Sequence, residues 1–331
     1  MQIGKLTNQE LERLVFSRLP KLSDRTQIGG QIGADCAWIS LGPNTLIATS
    51  DPITAGGKVS GTLAVHVSCN DIAASGVHPI GILMVILVPA TAIENDIVTI
   101  VDQASAAAKA LGVDIVGGHT EITDSVNTSV VTTTAFGTTD PSVPRLLGRV
   151  LPGDTLLMTK TAALEGTWII AHNNADRLKD KVSEETMKDA LSMLDQISVV
   201  SDGTIAAASA TDKDSDVHLM HDATEGGILG AAHEMADYSG IGLKIYPDRI
   251  PVTHTTRQIC DAVDMDPLRL ISSGSMLIAT SRPERITEAL SRANIQCTDI
   301  GTFQTSGFIQ IDASGQESPL GPPERDHIYR L

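Results

Sequence analysis

Residues 81–88 read Gly-Ile-Leu-Met-Val-Ile-Leu-Val, an unbroken apolar run that ends at Pro89. The run is far shorter than the ~20 residues a membrane helix needs, so it is read as a strand covered on both faces. The next residues fix its setting. Thr91-Ala-Ile-Glu94 has the form of a capping box, and Ile93, Ile97, Ile100, Val101, Ala104, Ala108 and Leu111 then recur at helical spacing up to Gly112. A further short strand over 114–116 completes a strand–helix–strand succession. A similar succession closes the chain: a strand over 276–280, a helix from Pro283 and a strand near Thr298. Both halves also place a glycine-flanked acid after a strand. The fold class is therefore α/β (α+β) with two related domains.

The remaining elements obey the same logic. Thr7-Asn-Gln-Glu10 caps a first helix, which Pro20 stops, and residues 20–34 form a polar, glycine-rich loop ending in Gly33-Ala-Asp35. A strand over 45–49 delivers Ser50-Asp51-Pro52. A helix over about 61–75 is small or aliphatic except for His66, Asn70 and Asp71. Residues 117–121, Gly-Gly-His-Thr-Glu, are expected to turn at the glycines, and 129–138 alternate as a half-exposed strand. Pro141, Pro144 and Pro152 mark the domain boundary, giving domains 1–148 and 149–331. In the second half a strand over 217–220 delivers His221-Asp222-Ala-Thr224-Glu-Gly226-Gly227 and then a helix. The stretch after residue 313, with Pro319, Pro322 and Pro323, is expected to be a flexible tail that nucleotide binding does not need.

Composition narrows the function. With 40 Asp and Glu against 24 Lys and Arg, the net charge is −16, which disfavours nucleic acid as a partner. Four Phe, two Trp and three Tyr leave little for stacking platforms. The four cysteines are scattered and contain no C-x-x-C pair, as expected of buried reduced thiols. No signal peptide or membrane span is read, and the expected location is cytoplasmic.

Three acids, Asp35, Asp51 and Asp71, lie in apolar or glycine-rich surroundings. Lys58 is the only Lys or Arg between Arg25 and Lys109. Carboxylates without nearby bases suggest Mg²⁺, although caps and backbone hydrogen bonds would also account for them. Gly117-Gly118 and Gly226-Gly227 could bring backbone N–H groups to phosphates or could be plain turns. His233, Glu234 and Asp237 share one helix and are read as a solvated charged face. There is no P-loop and no dinucleotide fingerprint.

Taken in order, Gly33-Ala34-Asp35, Ser50-Asp51, Asn70-Asp71, Gly117-Gly118-His119-Thr120 and Asp222 to Gly227 resemble the aminoimidazole ribonucleotide synthetase superfamily, and its hydrogenase-maturation HypE branch most of all. The resemblance implies an N-terminal half that forms a β-barrel with the same half of a second copy, and a C-terminal mixed-sheet domain with packed helices. It implies a homodimer that binds ATP and Mg²⁺ and acts on a small-molecule or protein-borne acceptor. Carried onto this chain, Gly33, Asp35, Asp51, Asn70, Asp71, Gly117, Gly118, His119 and Thr120 would meet nucleotide. Asp35, Asp51 and Asp71 would hold metal, and His119, Glu121 and Asp222 would serve acid–base or second-metal roles. The implied chemistry is activation of an amide or similar oxygen by phosphoryl transfer. A non-catalytic accessory protein and a small-molecule kinase are the alternatives. The chain departs from the pattern at Ala34, which stands where the family has an acid, and at Glu121, where HypE has lysine. It also has no cysteine after Cys297, so HypE's terminal acceptor thiol is missing.

Overall fold

The computed structural model describes residues 4–20, 23–54, 56–139, 150–210, 216–323 and 325–331. The expected domain boundary at 148 lies outside them. The helices are α1 (Asn8–Leu14), α2 (Ser60–Ala74), α3 (Glu94–Leu111), α4 (Leu164–Asn173), α5 (Ala175–Leu178), α6 (Glu184–Ser192), α7 (Val200–Ala208), α8 (Gly227–Ser239), α9 (His254–Val263) and α10 (Pro283–Arg292).

The first sheet uses β1 (Thr26–Ile28), β2 (Ala37–Leu41), β3 (Asn44–Ile53), β4 (Gly81–Pro89), β5 (Asp114–Thr123) and β6 (Val130–Thr139) in the order β1-β2-β3-β6-β4-β5. Among the described residues of this sheet, β4 and β5 alone pair in parallel, which the long crossover through α3 permits. Within one chain the sheet is open, with β1 and β5 at its edges; the expected barrel is one formed with a second copy. The second sheet uses β7 (Thr155–Thr159), β8 (Val217–Asp222), β9 (Gly242–Ile245), β10 (Met276–Thr280), β11 (Cys297–Gln304), β12 (Phe308–Ile311) and β13 (Glu317–Pro319). Their order is β13-β12-β9-β11-β7-β10-β8.

Helix α2 joins the halves. It packs on β3, β6 and α3 of the first and on α7 and β8 of the second. Its residues are buried nearly all round, which a helix between two layers must be. Small residues permit the approach. A Cβ at Gly61 would meet the Ile100 carbonyl of α3 at 2.1 Å, and one at Gly203 of α7 would meet the Ala73 carbonyl at 2.3 Å. One apolar cluster consequently runs from Ile82, Met84 and Ile86 through Ala64 and Cys69 to Val200, Met276 and Ile278. Strand β4 is covered on one face only: Ile82 and Ile86 are buried, whereas Leu83 is 43% exposed.

Three local expectations change. Helix α3 begins at Glu94, and it is Asp96, not a Thr91–Glu94 box, whose carboxylate accepts from the Ile93 N–H at 2.9 Å. The expected glycine turn at 117–118 is instead strand, inside β5. The tail after 313 is packed. β13 pairs with β12, Leu320 is buried, and Asp326 and His327 are 2% and 6% exposed.

Candidate functional site

The site assembles where α2 meets β8. Asp51 lies on β3, which runs on to Ile53, so this acid is within the strand rather than beyond its end. Asp71 reaches it from α2, 9% exposed. Thr49 links the two, donating to Asp71 Oδ2 at 2.7 Å and facing Asp51 Oδ2 at 3.3 Å. Asp71 is in turn in hydrogen-bonding contact with Asp51 and with Asp222, the last residue of β8. Asp222 is 1% exposed, and its Oδ2 has no hydrogen-bond partner among the described residues.

The glycine loop completes the group from above. Gly33 lies on α8, where a Cβ would stand 2.8 Å from Tyr238 Cβ, so no larger residue could bring the loop so close. This delivers Asp35 to His221, with Oδ1 to Nδ1 at 2.7 Å. The other imidazole nitrogen, Nε2, faces Glu234 Oε2 at 3.4 Å. Asp35, His221 and Asp222 each place a ligand atom within 4.8 Å of the other two. Four carboxylates and an imidazole from both halves thus share one locus, in which Asp71, His221 and Asp222 are buried and Asp35 and Asp51 half-buried.

Crowding sets the electrostatics. Burial, then Asp222, Asp51 and Asp35, push the Asp71 carboxyl well above the usual carboxylate range. Asp222 is pushed up to about 7, first by burial and then by Asp35. His221 moves the other way from what burial alone would do: Asp35 and Glu234 hold its imidazole protonated well above the ordinary histidine range. Lys5 faces the same charges. Burial would lower its ammonium pKa, but Glu234, Glu225, Asp35 and Asp71 raise it. A cavity of about 750 Å³ opens beside Glu234, lined by Lys5, Arg13, Glu225, Arg325 and Asp326 among others.

The other residues named from sequence lie elsewhere. Asn70 is fully buried, but it turns away from the acids: its amide donates to the Ile197 carbonyl and accepts from the Val199 N–H, both at 2.8 Å. Gly117, Gly118, His119, Thr120 and Glu121 lie on the exposed edge strand β5. Gly118 is required there because a Cβ would meet the Met84 carbonyl at 1.7 Å. His119 and Glu121 contact each other at 3.3 Å, with side chains 65% and 52% exposed. The register Asp51–Thr133–Met84–Gly118 puts β5 three strands from Asp51, ~14 Å at the usual spacing. Within one chain, then, His119 and Glu121 do not reach the acids. The Gly226 N–H, a candidate phosphate contact, already donates to Asp326 Oδ2 at 2.8 Å. Glu234, read as solvated, faces inward, and His233 stacks on Phe308 with centroids 4.2 Å apart.

Residues 33–139 match the N-terminal domain and residues 152–312 the C-terminal domain of AIR synthase related protein. The chain belongs to that family. It is 26% identical to carbamoyl dehydratase HypE of Azotobacter vinelandii over 301 residues, which span 87% of this chain and 82% of the relative. A solved hydrogenase maturation protein HypE in complex with ATP superposes with a TM-score of 0.68 at 19% identity, covering 98% of this chain and 97% of that one. A ThiL complexed with AMPPCP and TMP superposes with a TM-score of 0.74 at 16% identity, covering 98% and 100%. At these identities the solved structures establish the fold.

Proposed function

We propose that this protein is a Mg-ATP-dependent enzyme that activates an amide or similar oxygen of an acceptor by phosphoryl transfer. The observation that carries the reading is the cluster of buried Asp71 and Asp222 with half-buried Asp35 and Asp51. Such a concentration of carboxylates is unfavourable unless protons or cations share it. The unpartnered Asp222 oxygen and the oxygen-rich donor set fit Mg²⁺. Asp35, Asp51 and Asp71 would hold the ion, with Asp222 beside them. Bound there, Mg²⁺ would offset charge on the nucleotide phosphates, which an acidic chain otherwise repels.

The chain's own residues do the positioning. Thr49 fixes Asp71 against Asp51. The Gly33 loop, seated on Tyr238, sets Asp35. Asn70 pins α2 to residues 197–199 and so fixes the height of Asp71 relative to β8. Asp71 and Asp222, whose carboxyls are pushed up by burial and by neighbouring carboxylates, would give up their protons to a bound cation. HypE relatives and the ATP-bound HypE fold support the nucleotide, and the acceptor is a small molecule or a group on a partner protein.

The protein acts as a homodimer in the cytoplasm. The outer face of β4, with Leu83 exposed, and the unpaired edge of β5, with Val116 and Ile122 exposed, are what a second copy would cover. His119, Thr120 and Glu121 would then take part only through that pairing. The test is calorimetric titration of ATP into the purified protein, with Mg²⁺ and with EDTA. Binding with Mg²⁺, at least tenfold weaker in EDTA, is expected. No binding in either condition would refute the reading. Mass spectrometry of products would expose a kinase by a stable phosphorylated acceptor.

A further inference from the structure

We infer that the cavity between α1 and the C-terminal tail is the acceptor pocket of the activation proposed above, and that the acceptor is a small molecule whose carboxylate or phosphate is held by Lys5 and Arg13. The acceptor's role depends on the nucleotide reading; the class of ligand the pocket takes does not.

The two ends of the chain build the pocket. Gly4 has a φ of +114°, and a Cβ there would stand 3.0 Å from the Tyr329 ring, so the N-terminal segment crosses the tail in close contact. Beyond α1, the Phe16 ring lies 3.3 Å from where a Cβ on Gly30 would stand, in the glycine loop that carries Asp35. Helix α1 therefore bridges from the tail to that loop. It leaves a cavity of about 750 Å³ at its side, a volume usual for a metabolite site. No residue of α1 is buried, so packing against protein contributes little to holding so short a helix there. A ligand in the cavity would supply contacts that the protein does not.

Hydrogen bonding on the walls selects the ligand. The acids of the lining are already engaged. Glu10 accepts from the Thr7 N–H at 3.0 Å, and Glu225 from the Tyr329 hydroxyl at 2.9 Å. Glu234 is bonded to the His221 imidazole at 3.4 Å, and Asp326 accepts from the Gly226 N–H at 2.8 Å. Two of the bases are not engaged. Neither the Lys5 ammonium nor the Arg13 guanidinium makes a hydrogen bond or an ion pair among the described residues; Glu234 and Glu225 act on Lys5, and Arg13 on Glu10, only through space. Idle donors in a pocket whose carboxylates are taken call for oxygens from the ligand. Carboxylate and phosphate are the groups that lysine and arginine hold best. A chain of net charge −16 needs such a local device to hold an anion at all.

The position suits the proposed chemistry. Glu234 lines the cavity and bonds His221, whose Nδ1 pairs with Asp35 at 2.7 Å. Lys5 also feels the charge of Asp35 and Asp71. An acceptor anchored on Lys5 and Arg13 would thus lie one side-chain pair from the carboxylate cluster.

Glutarate and ethyl phosphate are the probes, with glutaramide and ethanol as their uncharged counterparts. Binding to the full chain is titrated by saturation-transfer NMR in EDTA without nucleotide, so that no metal mediates it. At least one charged probe should bind at least tenfold more tightly than its counterpart, and the tighter of the two tells carboxylate from phosphate. Lys5→Gln and Arg13→Gln should each weaken that probe at least fivefold at unchanged melting temperature. No binding by the unaltered protein, or equal binding of charged and uncharged probes, overturns the inference whether or not the variants fold. So does displacement of the probe by saturating Mg-ATP, which would give the cavity to the nucleotide. Selective probe binding by a protein that binds no Mg-ATP would refute the nucleotide reading and leave the pocket's ligand class standing.

Discussion

At the scale of single residues, crowded acids hold protons. Asp71 and Asp222 have folded-state pKa values above those of an unfolded carboxylate, Asp222 at about 7. The folded, metal-free protein therefore holds protons that the unfolded chain releases. The stability this confers is complete below the unfolded carboxylate pKa of ~4 and is lost as pH rises through the folded values. In EDTA the melting temperature should accordingly fall between about pH 5 and pH 8, and added Mg²⁺ should restore more of it at the higher pH. Melts that show the same pH dependence with and without Mg²⁺ would contradict the shared-proton picture. Asn70 makes a separate prediction. Asn70→Ala strands the Ile197 carbonyl and the Val199 N–H in the interior and should cost about 2–3 kcal/mol in urea unfolding. A loss confined to nucleotide affinity would instead return Asn70 to the nucleotide site. Asp51 and Asp71 were legible in the sequence because acids among apolar residues with no base nearby need a special partner. Glu234 was not, since an amphipathic helix looks the same whether its acids meet water or a buried histidine. His221 was passed over because its two carboxylates come from positions far away in the chain.

Among the elements, the strand–helix–strand unit through β4, α3 and β5 could be read from period and caps, and it formed. The errors fell where pairing partners decide the outcome. β5 runs through both glycines because β4 offers a parallel ladder, and nothing local to 117–118 announces that neighbour. The tail reads as loop by its prolines, yet β13 pairs with β12, and Asp326 accepts from the Gly226 and Ile328 N–H groups, both at 2.8 Å. Tyr329 adds a hydroxyl donated to Glu225 at 2.9 Å. Deleting residues 325–331 should thus destabilise the fold by about 1–3 kcal/mol, because the buried Gly226 N–H loses its acceptor. A truncated protein with unchanged melting would show that the docking carries no stability.

For the whole molecule, two halves share α2, and the acids meet only because both are folded together. That is why the family resemblance could gather Asp35, Asp51, Asp71 and Asp222 into one site, whereas periodicity and composition alone could not. The same architecture leaves Leu83, Val116 and Ile122 exposed on the open sheet. Leu83→Asp should shift sedimentation from dimer to monomer at micromolar concentration. A monomeric unaltered protein would remove the dimer from the account. In the proposed mechanism the carboxylates bind nucleotide through a metal, and Asp51→Asn and Asp71→Asn test this most directly by removing charge while keeping shape. ATP titrated calorimetrically into both variants should bind at least tenfold more weakly than to the unaltered protein in Mg²⁺, with no difference in EDTA. ATP affinity unchanged in Mg²⁺, with only melting temperature lowered, would show that these acids are structural and that the proposed mechanism is wrong.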